Sequence, residues 1–188
     1  RSRAATLRFL KRLPPSAIRE PLAQGQWSLR DIFAHFVAWE EEAVRRLELI
    51  ARGRGRRLLF YEDMRRVDRF NARAVGRARR WSWAALLGRA AQVRRRLAQA
   101  LLRLPPEALH DPTHRYPVTA WLPEFAWTHE QGHLARMRAW WRSRRGHGLP
   151  RQVDRQAVAR QLKPRAQRRQ AGRLHGRVQC QHNRLVAC

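Results

Sequence analysis

Cysteine is nearly missing from this chain of 188 residues; the two present, Cys180 and Cys188, both lie close to its C-terminal end. No disulfide framework and no cysteine-based zinc cluster is therefore available to the rest, which fits a reducing cytoplasm. Lysine is as scarce. Of 41 basic residues only Lys11 and Lys163 are lysine, so the net charge of +27 is carried by arginine, the outcome expected of GC-rich coding without selection for a polyanionic partner. Acidic residues number 14, and Asp154 is the one acid after Glu130, so the charge imbalance is sharpest toward the C-terminus. No apolar run approaches the roughly 20 residues that a membrane-spanning helix needs, and the N-terminus has no secretory apolar core; a soluble protein without a membrane partner is expected. Strand-period alternation of useful length is absent too, which leaves an all-α fold.

What is present is helical periodicity. In QWSLRDIFAHFVAWEEEAVRRLELIARG, Ser28 is placed to cap a helix with Asp31 as its reciprocal partner, and Trp27 and Ile32 stand where a hydrophobic staple would. Leu29, Ile32, Phe33, Phe36, Val37, Ala43, Val44, Leu47 and Ile50 recur at helical spacing and Gly53 follows as a stop, predicting a helix over residues 28–52. A second helix starts at the cap Ser82, with Trp81 and Leu86 as staple. It carries Leu87, Ala90, Val93, Leu97, Leu101 and Leu104 on one face and ends at Pro105 and Pro106. A third is predicted over about residues 120–144, with Pro123 in its first turn. A shorter amphipathic segment holds Met64, Val67, Phe70, Ala74 and Val75, and the opening RAATLRFLKRL reads as the end of a further helix. RLPPSAIREP and RLPPEALHDP echo one another; they are either a repeated Pro-Pro helix stop or two helix-loop-helix halves of one bundle. The simplest assembly is a four-helix bundle, in which the long connection from Gly53 to Arg80 serves as a crossover between parallel neighbours. Residues 151–188 are rich in Arg and Gln and poor in large apolar groups, so disorder is expected there.

The third helix contains WTHEQGHLARMRAWW, with the H-E-x-x-H spacing by which a helix offers two imidazoles to zinc and a glutamate to water. His129 and His133, at i and i+4, point from one face and can share an ion at about 2.0–2.1 Å per nitrogen. The peptidase reading needs more. Arg136 and Ala139 stand where a following Gly and third His would be, no Glu follows Glu130, and Glu130 falls one residue round the helix from His129, away from the apolar stripe, where it reads as a solvent-facing residue. His35 sits among Phe33, Phe36 and Trp39. Alone it reads as a core histidine, but as a third imidazole from another helix it would complete a site with one position open to water or substrate. The geometry allows this, since His35 and the pair both lie inside their helices and can meet in one layer.

With WSLRDIFAHFVAWEEEAVRRL, the segment from VDRFNARAVG to RLPPEAL, and WLPEFAWTHEQGHLARMRAWW, the chain resembles the DinB-like superfamily of bacterial four-helix bundles over about residues 4–145. Its pattern looks closest to the ClbS/DfsB group, which shares the W-S-x-x-D-x-x-A-H helix start, a central Asn segment and a late H-x-x-x-H; it departs from that group in having Glu130 after the first His and in its Arg-rich tail. The resemblance implies an up-down-down-up bundle with a long crossover between helices 2 and 3, often dimeric. It also implies a divalent metal (Zn, or Ni, Fe or Mn) on His35, His129 and His133. Superfamily activities include thiol transfer from bacillithiol or mycothiol and, in the ClbS branch, hydrolytic protection against a reactive natural product.

The expectations are these. Residues 1–145 form a DinB-like bundle and 146–188 a basic disordered tail. The protein is a metal-dependent hydrolase or thiol transferase in detoxification or stress response, acting on a small molecule with a low-molecular-weight thiol as a candidate co-substrate. Trp39, Tyr61, Asn71 and Trp121 are candidates for the pocket wall, each with a structural role as the alternative. The competing functional readings are a nucleic-acid-associated protein acting through its tail by phosphate neutralisation, and a bundle that keeps its histidines as core and does no chemistry.

Overall fold

Helix starts and stops follow from local chemistry. The computed structural model describes residues 1–23, 26–55, 58, 63–110 and 117–146. Tyr61, both cysteines and the expected disorder of residues 151–188, with any nucleic-acid role for them, lie outside these. Within them every regular element is helical: α1 (Ser2–Lys11), α2 (Pro15–Arg19), α3 (Leu29–Ala51), α4 (Met64–Ala78), α5 (Trp83–Leu102), a 3₁₀ turn (Pro106–His110), α6 (Val118–Phe125) and α7 (Trp127–Gly146). The protein is all-α, and no described helix is long and apolar enough to cross a membrane.

At the start of α3 the Ser28 hydroxyl accepts from the Asp31 N–H at 3.1 Å and the Ser28 N–H donates to the Asp31 carboxylate at 3.2 Å, a complete capping box. At its end Gly53 adopts φ 66°. The Gly53 N–H donates to the Ile50 carbonyl at 2.9 Å and the Arg54 N–H to the Leu49 carbonyl at 2.8 Å, the Schellman pattern that satisfies orphaned carbonyls. Ser82 caps α5 through the Ala85 N–H at 3.0 Å. Both Pro-Pro echoes form short helical turns, α2 and the 3₁₀ turn. The predicted third helix is two helices: Ala126, at φ −124° and ψ −88°, leaves the helical region and separates α6 from α7. Pro123 lies well inside α6 rather than in its first turn, where its ring removes a donor to the preceding turn.

Residues 1–134 form one compact unit organised around α3. Most of α3 is buried because α2, α4, α5 and α6 all pack on it. Cross-helix pairs fix the directions. Phe33 meets Trp83, Glu41 pairs with Arg89 and Glu48 with Arg96, numbers that rise together, so α3 and α5 run parallel. Asp31 pairs with Arg79 and Trp39 with Asn71, numbers that run in opposite senses, so α4 is antiparallel to α3. The long connection between parallel neighbours is thus itself largely a helix, carrying the chain back along α3 before α5 begins. His35 meets His129 while Arg46 lies over Trp121, so α6 and the first half of α7 also oppose α3. The core stripe of α5 is Leu86, Ala90, Val93 and Leu97; Leu87 and Leu101, expected on it, are only half-buried because the i, i+4, i+7 series starts one residue earlier. The second unit begins at Ala135 and, as described, continues α7 to Gly146, with Arg144 over the Trp140 ring at 5.3 Å.

Asp31 also joins α4 to α3, accepting two hydrogen bonds from Arg79 at 3.0 Å each, while Arg30 donates to the carbonyls of Ala78, Arg79 and Trp81 at the end of α4. Burial raises the Asp31 carboxyl, but the Arg79 and Ser28 hydrogen bonds and the Arg79 charge outweigh it and hold the group below its ordinary value of 3.8. A depressed folded value means that stability is contributed in full above 3.8 and lost as pH falls through the lower folded value. Asp31→Asn is expected to lose about 1 kcal/mol at pH 7, because Arg79 is largely exposed and screened. In urea titrations the gap to wild type should close as pH falls below 3.8; a constant gap would mean the carboxylate charge contributes nothing.

Candidate metal centre

Three imidazoles converge inside the first unit. The His35 and His129 Nε2 atoms are 3.0 Å apart, and the His133 and His129 Nε2 atoms 2.9 Å apart. All three residues are buried, at 0%, 4% and 1% exposure for His35, His129 and His133. Helix α3 supplies His35 two turns in from its capping box, and α7 supplies the pair from a single face. The pair read from the i, i+4 spacing meets on α7, and the fold brings the third imidazole to it across 94 residues of chain.

The surroundings are aromatic. His35 lies 5.0 Å from the Trp27 ring and 6.2 Å from Trp39, edge-on to the latter, and Phe36 stands 5.9 Å from His129 and 5.3 Å from His133. Trp39, a predicted wall residue, is buried beside the cluster. Its indole N–H donates to the Asn71 side-chain carbonyl at 3.0 Å, and its ring packs on Phe70 and edge-on to Phe125. Asn71 is itself 2% exposed, so the two candidates form one buried polar pair. Trp121 is buried further along α3, edge-on to Phe125 and beneath the Arg46 guanidinium. Phe36 stands beside His35 as the sequence places it, whereas Trp27 reads there only as a staple residue; the Trp-Ser-x-x-Asp-x-x-Ala-His start holds the signal for its place at the site, since a residue just before the cap can fold back over the second turn.

Glu130 is a correction to the sequence reading. It is fully buried, not solvent-facing. One oxygen accepts from Arg3 Nε at 2.9 Å and the other from Arg94 at 3.4 Å. Arg3 reaches Glu40 as well, at 3.2 Å, and Arg94 pairs with Glu40 in turn. Two guanidiniums and two carboxylates thus alternate in a closed ring drawn from α1, α3, α5 and α7. Burial raises the Glu40 carboxyl above its ordinary 4.5, with Arg3 and Arg94 opposing the rise and Glu130 adding to it. Both Glu130 oxygens are engaged by cations, so the water-activating role of the glutamate in an H-E-x-x-H peptidase is not what this geometry builds. The signal for the ring was legible: Glu40 lies on the apolar stripe four residues from both Phe36 and Val44, where a charge needs a buried partner.

The donor set fits a cation. A neutral imidazole carries one N–H and one lone pair, so facing Nε2 atoms can share at most one proton per pair, whereas a single ion accepts from all three. Nitrogens bound at about 2.0–2.1 Å around a tetrahedral ion stand roughly 3.3 Å apart, and the ligand nitrogens here all lie within 4.8 Å of one another. Imidazole suits Zn, Ni or Fe better than the oxygen-seeking cations.

Comparison with known proteins agrees with the fold. No curated protein and no solved structure matches the chain. The DinB superfamily matches it over residues 1–137, a span that includes α1, the whole of α3 and both histidines of α7. By that match, over a helical frame that buries the three histidines together, the chain belongs to the DinB superfamily.

Proposed function

We propose that His35, His129 and His133 hold one divalent metal, Zn or a similar ion, and that the protein uses it on a small molecule, as a hydrolase or as a thiol transferase of the bacillithiol or mycothiol type. The observation that carries this is the meeting of three buried Nε2 atoms from two helices at 2.9 and 3.0 Å. An ion bound there would supply Lewis-acid chemistry, polarising an electrophile or making water or a thiol a better nucleophile. The chain's own residues do the rest: Phe36 and Trp39 pack their rings against the imidazoles and hold them in place, and Asn71 fixes the Trp39 ring. Trp27, part-exposed and 5.0 Å from the His35 ring, is the aromatic wall that a substrate would meet, with Trp39 packed as core behind the imidazoles. Within the superfamily the helix start at Trp27 and Ser28 favours a place near the ClbS/DfsB group and hence hydrolytic detoxification.

Elemental mass spectrometry on protein purified without a polyhistidine tag tests the reading. Near-stoichiometric metal is expected, or stoichiometric uptake after dialysis against Zn²⁺ or Ni²⁺. Protein that neither carries nor takes up metal would leave the histidines as core and remove the basis for screening hydrolysis or thiol transfer.

A further inference from the structure

We propose that the buried ring of Arg3, Glu40, Arg94 and Glu130 is the positioning device of the metal centre. It sets the register in which α7 presents His129 and His133 to His35, and it makes α1 a working part of the site. The inference rests on the metal reading above.

The ring takes one residue from each of four helices, and each arginine bridges both glutamates. Two of its members are tied by the backbone to the histidine cluster. Glu130 directly follows His129, and Glu40 lies on α3 little more than one turn beyond His35. Both carboxylates are fully buried and Arg3 is nearly so, which makes the pairing unforgiving. If α7 slid along α3 by one residue, about 1.5 Å, the Arg3 to Glu130 contact at 2.9 Å would open and leave charge buried without a partner.

Apolar contacts impose no such penalty. Phe36, Val37, Val44 and Leu47 bury nearly as much surface after a small slide, because hydrophobic attraction is non-directional. Three nitrogens that must meet at one ion tolerate only about 0.5 Å of error. Packing therefore supplies stability, whereas the directional ion pairs select one register among the near-equal packings. Setting register is the best-attested use of buried charge, since such pairs are seldom net stabilisers compared with apolar replacements.

The test separates register from stability. In the full chain, Arg3→Met with Glu130→Leu removes one cation and one anion and leaves Glu40 paired with Arg94. Co²⁺ is the probe, because its visible absorption reports ligand number and geometry, and long-range ¹H–¹⁵N spectra of the imidazoles report the cluster without metal. The double variant is expected to melt close to wild type, to bind Co²⁺ at least tenfold more weakly with an altered spectrum, and to show shifted His129 and His133 imidazole nitrogens. A folded double variant with wild-type Co²⁺ affinity and wild-type imidazole signals would overturn the proposal. If the double variant does not fold, Arg3→Lys decides: it keeps the charge but loses the two-pronged fork. A several-fold loss of Co²⁺ affinity is then expected, and an unchanged affinity and spectrum overturns the idea. Should wild type itself bind no Co²⁺, the metal reading fails, and the metal-free imidazole spectra of the same variants still decide whether the ring positions the histidines.

Discussion

His129→Ala is expected to emerge from purification without metal and to take up none on dialysis, while its helix content stays at the wild-type level. His129 is the hinge of the cluster, since its Nε2 lies within 3.0 Å of both His35 and His133. Removing it leaves two imidazoles on different helices, too few donors for a stable site in competition with buffer and water. Helicity should survive because Ala is a better helix former than His. The sharper measurement is thermal. Metal that binds only the folded state stabilises by about 2.7 kcal/mol at a free concentration of 100 Kd, so added Zn²⁺ should raise the wild-type melting temperature and leave the variant unmoved. Stoichiometric metal retained by His129→Ala would end the assignment. So would a Zn²⁺-dependent rise of equal size in both proteins.

Trp39→Ala should produce the largest loss of stability of any single substitution discussed. The indole is 2% exposed and is gripped by Phe70, Phe125 and Asn71. Truncation deletes those contacts and opens a cavity beside the histidines, at a cost of about 3–5 kcal/mol. For a domain of this size that corresponds to a fall in melting temperature on the order of 10 °C. It also strands the buried Asn71 carbonyl. Trp39→Phe isolates that second effect, keeping a ring but no N–H, and is expected to cost about 1–3 kcal/mol. Urea midpoints for the pair give both numbers. A loss under about 1 kcal/mol for Trp39→Ala would show that the indole borders open space rather than core, and would make it a substrate-facing residue in the strict sense.

Such contrasts follow from where each instruction is written in the chain. The capping box of Ser28 and Asp31, the Ser82 cap, the Gly53 stop and the apolar repeat of α3 are local chemistry. Each is complete within a few residues, and each appears in the fold as read. The presentation of His129 and His133 from one face is local too, because i and i+4 are neighbours on any helix. The split at Ala126 escaped because Pro123 is a visible weakness but the turn that follows it contains only ordinary helix formers.

What the sequence by itself determined was therefore the all-α class, the ends of α3 and α5, and the i, i+4 presentation of His129 and His133 from one helix face. The tertiary structure alone decided that His35 reaches the pair, across 94 residues, and that Arg3 reaches Glu130 across 127. It also turned Glu130 from an expected surface residue into a fully buried one. The reason is physical: backbone geometry and capping are settled within one or two turns, whereas the register between helices depends on how charges and rings from distant segments satisfy one another in a space without water, and no local pattern encodes that choice.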